Sequence, residues 1–545
     1  MVLKRNKFFI LFYTIMKKIP TMFHEKLIII VVRALLVITI ISFNSCEQKA
    51  KNATDLPVSS AIEENVSPQG ILDFIEAVEN SEHELHSFMI VRHGKVVAEG
   101  WWDPYKPELR HTMYSTSKSF TSTAIGFAVS EGLLTVHDKV IGFFPEQLPD
   151  TISENLADME VRDLLSMTAG QDPEPTFFRI LGSEDWIRSF LATPVVHDPG
   201  TVFLYNSAAT YMLSAIIQKV TGMTLLEYLT PRLFEPLGIT GMDWEVDPDG
   251  INTGGWGLRI KTEDMAKFGL LYLQKGQWKG QQILPAAWVE EATTMKIMQS
   301  PEITDEEARS KSDWLQGYCY KFWRSRHNSY RGDGAYGQLI MVLPEKDAVI
   351  TVTAETPDMQ GELNLVWDHL LPALMEEKPE ADPETITELN DKLASLSLPP
   401  PEPGNNPDME KSISGNSYVF EMEEGDPDTI TLSFDETGCQ MESISGGKTY
   451  RFSFGRGEWI SGETLKTGSN LLSQPRDRIV DLGPFKVSGA CSWTTDSTLT
   501  LALRYIESPH TQYYKFLFSG EDIFLGMNNS REYGREVIKV KGRGL

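Results

Sequence analysis

The chain of 545 residues carries a formal net charge of −26, and 41% of its residues are hydrophobic. This length predicts two or three domains with sizeable cores. The strong acidity argues against nucleic acid as a partner, because phosphate groups are bound by basic surfaces, and we attribute the acidity to solubility.

Residues 1–46 are predicted to be a targeting segment rather than part of a folded domain. Basic residues are followed by an apolar run, Ala34 to Phe43, that is too short to span a bilayer comfortably. The segment resembles a bacterial lipoprotein signal, which implies cleavage before Cys46 and a lipid on that residue. An uncleaved N-terminal anchor is the alternative. Both place the folded part in the bacterial cell envelope (periplasm or outer membrane), and the polar residues 47–68 are expected to be a tether.

Residues 69–375 show strands at both ends and helices between them. An apolar helical pattern at 71–78 precedes a predicted hairpin of 88–92 and 95–100, with His93-Gly94 as its turn. Further helices are predicted at about 161–170, 211–222, 262–274 and 364–374, and closing strands at 339–343 and 348–353. Strands that open and close a helical unit indicate an α+β domain with an antiparallel sheet flanked by helices.

Within this unit, Tyr114-Ser115-Thr116-Ser117-Lys118 contains the pattern Ser-x-x-Lys ahead of a small, apolar helical run. Residues three apart share one face of a helix, so Ser115 and Lys118 are expected to lie side by side. A neutral or hydrogen-bonded lysine there can take the hydroxyl proton and make the serine a nucleophile. The N–H groups of the helix N-terminus would face negative charge that develops on the substrate.

The Ser-x-x-Lys pattern alone is a weak signal, since about one or two copies are expected by chance in a chain of this length. A second copy runs from Ser445 to Lys448 and includes two glycines. We interpret that copy as a hairpin turn.

Residues 376–412 are rich in proline and acidic residues and are predicted to be a linker with one short helix at about 385–396. Residues 413–545 are predicted to be an all-β barrel or sandwich, because alternating stretches are separated by glycine-rich turns. The four cysteines have no metal-ligand spacing, so no metal site is predicted. Cys439 and Cys491 could pair, and the sequence leaves this open.

Five motifs in residues 70–375 follow a specific order. They are Tyr-Ser-Thr-Ser-Lys-Ser-Phe-Thr at Ser115, Val-Arg-Asp-Leu-Leu-Ser-Met-Thr-Ala-Gly at 161–170, Pro-Gly-Thr-x-Phe-x-Tyr ending at Tyr205, Gly-Leu-x-x-x-x-Glu-Asp-Met-Ala-Lys-Phe-Gly at 257–269, and a closing Gly-Gln strand. Together they resemble the serine β-lactamase and penicillin-binding-protein superfamily. The nearest branch is the class C β-lactamase-related esterases and 6-aminohexanoate-oligomer hydrolases. The resemblance covers a little over half of the chain.

The resemblance implies a role for each matching residue. Ser115 would be the acylated nucleophile, Lys118 its proton partner, and Tyr205 the tyrosine of the second family motif, Tyr-x-Asn. A tyrosine near Lys118 can shuttle the proton between Ser115 and the leaving group. The third position of the motif is Ser207 rather than asparagine, and Asn206 is expected to point elsewhere. A plain core tyrosine is the alternative for Tyr205.

The third family motif, Lys-Thr-Gly or His-x-Gly, aligns with Gly332-Asp333-Gly334. No cation stands at its first position, although Arg331 lies one residue earlier, and this weakens the case for substrates that end in a carboxylate. Asp333 would repel such substrates if it points inward, and solvent exposure is the alternative. Gly334 allows close backbone approach.

The resemblance further implies an oxyanion hole formed by the N–H groups of Ser115 and Ala335. Trp256 and Tyr336 are expected to bound the pocket or to belong to the core, and His111 and His197 to be structural.

The sequence therefore predicts a lipid-anchored serine hydrolase that acts on small ester, amide or peptide-like substrates, with no metal or cofactor. Within enzymes, the alternative is a penicillin-binding D-Ala peptidase or a β-lactamase. Outside enzymes, the alternatives are an inactive envelope binding protein with the same fold and a structural lipoprotein.

Overall fold

The computed structural model describes residues 56–545 except 381, 422–428, 469–482, 521 and 533–538. The predicted leader with Cys46, and residues 47–55 of the predicted tether, lie outside the described residues. Within the described ranges, no helix combines the length and the apolar character that a membrane crossing requires.

The helices and strands follow the predicted order. In the described ranges the α-helices are α1 Pro68–Glu79, α2 Ser117–Ser130, α3 Glu154–Asp158, α4 Val161–Leu165, α5 Trp186–Leu191, α6 Ser207–Thr221, α7 Leu225–Leu229, α8 Glu235–Leu237, α9 Thr262–Leu273, α10 Ala286–Thr293, α11 Glu306–Lys311, α12 Met359–Leu365, α13 Leu371–Ala373, α14 Pro383–Ala394 and α15 Pro407–Ile413. The strands before residue 376 are β1 Glu84–Arg92, β2 Lys95–Trp101, β3 His111–Thr112, β4 Asp243–Trp244, β5 Leu258–Ile260, β6 Gln277–Trp278, β7 Gln281–Gln282, β8 Trp323–Ser325, β9 Ser329–Gly334, β10 Gln338–Leu343 and β11 Ala348–Glu355. Those after it are β12 Ser417–Phe420, β13 Thr429–Phe434, β14 Gly438–Ser445, β15 Lys448–Arg456, β16 Ile460–Thr464, β17 Phe485–Thr495, β18 Thr498–Tyr505, β19 Thr511–Ser519, β20 Asp522–Asn529 and β21 Lys539–Gly544.

The main sheet has antiparallel strands in the order β2-β1-β11-β10-β9-β8. Its first two strands form the predicted hairpin, in which His93 and Gly94 both adopt the left-handed backbone angles that such a two-residue turn requires (φ +49° and +75°). Strand β1 pairs with β11, for example Phe88 with Val352, so both ends of the unit complete one sheet. The predicted α+β class is confirmed.

Both faces of this sheet are buried. Along β1, Met89 and Val91 join a core shared with the central helices, whereas Phe88 and Ile90 join a second core on the opposite face. The second core includes apolar residues of α1 and of the segment that follows α12. This double burial explains why Phe88 to Val91 are apolar in an unbroken run instead of alternating with polar residues.

Helix α2, which follows Ser115, passes through the centre of the first core. Nearly all of its residues are buried, and a Cβ at Gly126 would lie only 2.4 Å from the Trp288 ring. Its hydroxyl side chains bond the surrounding loops: Thr121 Oγ1 donates to Gly254 O and Ser119 Oγ donates to Lys321 O, each at 2.8 Å. These bonds satisfy polar groups in a buried helix and fix it against the loops that line the site.

The segments on either side of the α+β unit pack against it. Residues 56–66 add backbone bonds to the sheet edge, where Ser59 N donates to Val96 O at 2.9 Å. In the predicted linker, α14 places Leu389 in the second core, and Leu396 is buried beside it. The domain boundaries given above stay predictions, but these described parts of the tether and linker are held in place by contacts.

The C-terminal strands close into a barrel. Within the described ranges nine strands follow the order β15-β14-β13-β12-β21-β20-β19-β18-β17, and β15 pairs in parallel with β17 through Gly455 and Ala490. Strand β16 is an additional partner of β17. The sequence predicts either a barrel or a sandwich, and the structure confirms the barrel. Cys439 and Cys491 are both buried inside it as free thiols.

The second Ser-x-x-Lys copy forms a hairpin turn, as predicted. Ser445 ends β14, Lys448 begins β15, and the intervening Gly446 and Gly447 have φ angles of +55° and +73°. Glycine adopts such angles without strain, so this copy is a turn rather than a catalytic pair.

Candidate active site

The Ser-x-x-Lys pair forms at the entrance to α2. A 3-10 turn, Tyr114–Thr116, leads into the helix and leaves Ser115 partly exposed, whereas Lys118 is buried. Lys118 Nζ lies 2.9 Å from Ser115 Oγ and donates to Gly255 O at 2.6 Å. The structure therefore brings together the two residues that the spacing predicts.

The environment of Lys118 favours the neutral amine. Burial lowers the pKa of Lys118 from 10.5 to about 7, and the carboxylates of Glu174 and Asp333 oppose this shift. At neutral pH a substantial share of this lysine therefore has a free lone pair. An amine in that state, within hydrogen-bond distance of a hydroxyl, can remove its proton.

Two glycines let the loop that holds Lys118 approach closely. A Cβ at Gly255 would lie 2.8 Å from Ser207 O, and one at Gly254 (φ +64°) would lie 2.8 Å from Ser214 Cβ. Only glycine fits here without displacing α6. The carbonyl of Gly255 thereby reaches Lys118 and orients its amine.

Tyr205 lies beside both Ser115 and Lys118. Its hydroxyl is a hydrogen-bond partner of Ser115, and the Lys118 Nζ lies 4.9 Å from its ring centroid. The ring stacks on Trp323 with a centroid distance of 5.6 Å. Burial raises the pKa of Tyr205, so its hydroxyl stays protonated at neutral pH. A phenol that stays protonated at neutral pH is a proton donor rather than a base.

The two residues after Tyr205 serve the start of α6. Asn206 is its N-cap: Oδ1 accepts from Ala209 N at 2.9 Å, and Nδ2 donates to Gln171 Oε1 at 3.0 Å. Asn206 therefore points away from Ser115, as expected. Ser207 is anchored by its backbone N–H, which donates to Glu174 Oε1 at 3.1 Å.

Strand β9 runs directly beside the nucleophile turn. A Cβ at Gly334 would lie 2.3 Å from Met113 O and 2.9 Å from Thr116 Oγ1, so a side chain there would force the strand and the turn apart. Thr116 Oγ1 also donates to Gln338 O at 2.6 Å. The end of β9, which leads directly into Ala335, is thus held against the turn that carries Ser115.

Asp333 is buried rather than exposed to solvent. Its carboxylate accepts from Arg331 Nε at 2.7 Å, and the two side chains are 8% and 0% exposed. Arg331 also donates to Asp313 O and Ser325 Oγ, and its guanidinium lies over the Trp314 ring. Arg331, the cation next to the third motif in the sequence, is therefore engaged within the protein.

Ala335 and Tyr336 form the turn between β9 and β10. Gln338 Nε2 donates to Ala335 O at 3.1 Å, and Tyr336 adopts a left-handed angle of φ +65°. The Tyr336 ring meets the Tyr114 ring edge-on at 5.8 Å. Trp256, by contrast, is 6% exposed and lies near Trp186, which agrees with a position in the wall or core.

A model of the Beta-lactamase family matches residues 82–373, more than half of the chain. The chain belongs to the β-lactamase family. This family member is 26% identical to the 6-aminohexanoate-dimer hydrolase of Paenarthrobacter ureafaciens over 290 residues, which cover 50% of this chain and 73% of that protein. It is 28% identical to Protein flp of Staphylococcus aureus (strain COL) over 179 residues, covering 29% of this chain and 36% of that protein.

Among solved structures, the octameric penicillin-binding protein homologue from Pyrococcus abyssi aligns over 87% of this chain and 99% of its own, with 17% identity and a TM-score of 0.44. The family match and the hydrolase among the relatives support a hydrolase activity for this β-lactamase family member.

Several residues of the site were not singled out by the sequence. Glu174 reaches the centre from the loop before α5, and its only sequence signal is a carboxylate between two prolines. Lys321 is a second buried lysine, whose Nζ lies 3.1 Å from Met167 Sδ and whose pKa burial lowers well below its usual value. His111 bonds with His86 in the interior and His197 lies at the surface near Asp172, and the structural role of both stays a prediction.

Proposed function

We propose that this protein is a serine hydrolase that cleaves ester or amide bonds of small molecules through an acyl-enzyme on Ser115. The observation that carries the proposal is the 2.9 Å contact between Ser115 Oγ and the amine of Lys118, whose pKa is about 7. The bond between Tyr205 and Ser115 supplies a third group on the same centre. Ser115 would thus be the nucleophile, with a base and an acid that each contact its hydroxyl.

In the proposed reaction, Lys118 accepts the Ser115 proton as Oγ attacks the carbonyl carbon. The carbonyl oxygen becomes an oxyanion, which the N–H groups of Ser115 and Ala335 would stabilise. When the tetrahedral intermediate collapses, Tyr205 gives its proton to the leaving oxygen or nitrogen and recovers one from Lys118. Water then attacks the acyl-enzyme by the same proton transfers in reverse and releases the carboxylic acid.

The surroundings of the site favour substrates without a carboxylate near the scissile bond. Glu174 and Asp333 both place negative charge close to Lys118, and Arg331 is already bound to Asp333. An incoming carboxylate would be repelled by the Glu174 carboxylate, and Arg331, the cation beside the third motif, is already paired with Asp333. This favours an esterase or amidase over the second candidate, a β-lactamase or D-Ala peptidase. Of these two, the family description names the β-lactamase.

Intact mass after treatment with a fluorophosphonate probe tests the proposal. We expect one adduct on the wild type, none on Ser115→Ala, and one on the matched control Ser445→Ala, because the second Ser-x-x-Lys copy is only a hairpin turn. Folded wild type without an adduct would instead support the inactive binding protein. A parallel incubation with a fluorescent penicillin is expected to give no label, and a label on Ser115 would favour the second candidate.

The cellular location is part of this proposal and rests on the leader alone. We place the protein in the bacterial cell envelope, anchored by a lipid on Cys46. Metabolic labelling with a palmitate analogue is expected to mark the wild type and not Cys46→Ser. Equal labelling of both proteins would contradict the anchor.

A further inference from the structure

A loop of the C-terminal barrel contacts the turn that carries the nucleophile. This barrel loop, residues 506–510, joins β18 to β19. Within it, His510 Nε2 lies 2.6 Å from the hydroxyl of Tyr114, the residue directly before Ser115. His510 is 1% exposed and Tyr114 is 4% exposed, so this contact is shielded from water.

The orientation of His510 is set by a carboxylate on the main sheet. His510 Nδ1 lies 2.7 Å from Glu355 Oε1, at the end of β11, and Ser530 Oγ donates to the same oxygen at 2.8 Å. A carboxylate accepts hydrogen bonds, so Nδ1 donates to Glu355, and Nε2 bonds with the Tyr114 hydroxyl. Tyr114, His510 and Glu355 thus form a hydrogen-bonded chain from the nucleophile turn to the sheet.

Tyr114 needs such support because of its backbone. Its φ angle is +44°, in the left-handed region that a bulky residue seldom occupies. The next residue is Ser115, so relaxation of Tyr114 would move both the nucleophile and its N–H. The Tyr336 ring meets both partners, the Tyr114 ring at 5.8 Å and the His510 ring at 4.8 Å. The same cluster therefore contacts the turn that carries Ala335.

Glu507, in the same barrel loop, holds the strand that enters the turn. Its carbonyl oxygen accepts from Thr112 N at 3.0 Å and from Thr112 Oγ1 at 3.1 Å. Its carboxylate accepts from Arg110 Nε at 3.0 Å and lies 3.5 Å from Arg259. The barrel loop therefore fixes the chain at residue 110, residue 112 and residue 114 in succession.

We infer that the barrel completes the active site, with His510 as a positioning residue that holds Tyr114, and through it the Ser115 turn, in the reactive geometry. This inference rests on the proposed function, because it assigns the barrel loop to the same serine centre. His510 touches neither the substrate nor the reacting atoms. Its loss should therefore lower the rate of acylation while leaving substrate affinity unchanged.

Three single variants of the full chain test this inference. His510→Phe removes both hydrogen bonds and keeps an aromatic ring, and Tyr114→Phe removes only the hydroxyl. The matched control is Tyr105→Phe, which removes a hydroxyl that donates to Ser508 O in the same barrel loop at 3.1 Å but lies away from the nucleophile turn. The measurements are kcat and KM for 4-nitrophenyl acetate, the rate of fluorophosphonate labelling, and hydrogen exchange of the segment 113–119.

We expect kcat and the labelling rate to fall on the order of tenfold in His510→Phe and in Tyr114→Phe, with KM within about twofold of wild type. The double variant should lose no more than the more severe single variant, because both interrupt one chain. Tyr105→Phe should keep wild-type rates. Exchange in 113–119 should accelerate in both single variants.

Wild-type kcat and labelling rates in both Tyr114→Phe and His510→Phe would overturn the inference and leave the proposed function intact. If the wild type itself reacts with neither reagent, the proposed function fails, and hydrogen exchange then tests whether His510 holds the nucleophile turn. Unchanged exchange of 113–119 in the variants would overturn this positioning role as well. If His510→Phe does not fold, the same comparison is made on Tyr114→Phe alone.

Discussion

The reactivity of Ser115 should follow the titration of Lys118. With a pKa of about 7, roughly half of Lys118 is neutral at pH 7 and about nine tenths at pH 8. At the ordinary lysine value of 10.5, only about 0.3% would be neutral at pH 8. Burial therefore raises the population of the active base by a factor of roughly 300 at that pH.

The assay is the second-order rate constant of fluorophosphonate labelling, measured from about pH 5.5 to about pH 9.5. Deprotonation of Lys118 activates the site, so the rate should rise about tenfold per pH unit at the acidic end and level off above a midpoint near pH 7. In Lys118→Met the labelling rate should no longer rise with pH and should be about 10²- to 10⁴-fold lower than in the wild type.

Glu174→Gln tests the direction in which a neighbouring charge shifts the pKa of Lys118. The Glu174 carboxylate favours the charged form of Lys118, so its replacement by the neutral isostere should move the midpoint to lower pH. The amide oxygen of the introduced glutamine could still accept the Ser207 N–H that Glu174 accepts in the wild type.

Two results would refute this reasoning. A wild-type midpoint above about pH 9 would mean that burial does not depress the lysine pKa as described. A midpoint that rises in Glu174→Gln would mean that another group controls the profile.

Three further predictions follow from the same geometry. Gly334→Ala should slow fluorophosphonate labelling at least tenfold and lower the free energy of unfolding by about 1–3 kcal/mol, because the added Cβ would lie 2.3 Å from Met113 O. The control Gly142→Ala has open space around the added Cβ and should match the wild type in both measurements. Tyr205→Phe should reduce the rate of hydrolysis of an anilide about tenfold more than that of a 4-nitrophenyl ester, since only the anilide has a poor leaving group that needs a proton from Tyr205. Equal losses in the two steady-state assays would contradict this role of Tyr205. Lys118→Met should raise the free energy of unfolding at pH 7 by about 2–4 kcal/mol in urea titrations, because Lys118 binds a proton more tightly in the unfolded chain than in the folded protein. This gain in stability should shrink toward pH 10, and a gain that grows with pH would disprove the depressed pKa of Lys118.

The elements of the fold were predictable where the signal is local. The turn at His93-Gly94 and the alternating barrel strands are recognisable from neighbouring residues, and the structure has them at those places. The choice between barrel and sandwich was not predictable. It depends on the parallel pairing of Gly455 with Ala490, which joins strands that are not consecutive in the chain, and alternation is the same in both architectures.

The same distinction holds for the candidate site. The contact between Ser115 and Lys118 follows from a spacing of three residues on one helical turn, so the sequence predicts it. The inward position of Asp333 depends on its pairing with Arg331, and no pattern indicates that pairing in advance. Glu174 comes close to Lys118, and His510 contacts Tyr114, from distant loops, each as a single residue without a motif.

The pairing of β1 with β11 also sets the order in which the chain can fold. The two strands are neighbours in the sheet but lie roughly 250 residues apart in the sequence, so closing this contact is slow and late. At ordinary rates of synthesis, β1 waits on the order of tens of seconds for its partner. During that time a strand with apolar side chains on both faces has an open edge, which is a template for aggregation. A nascent chain that stops before Ala348 should therefore depend on chaperones to remain in solution.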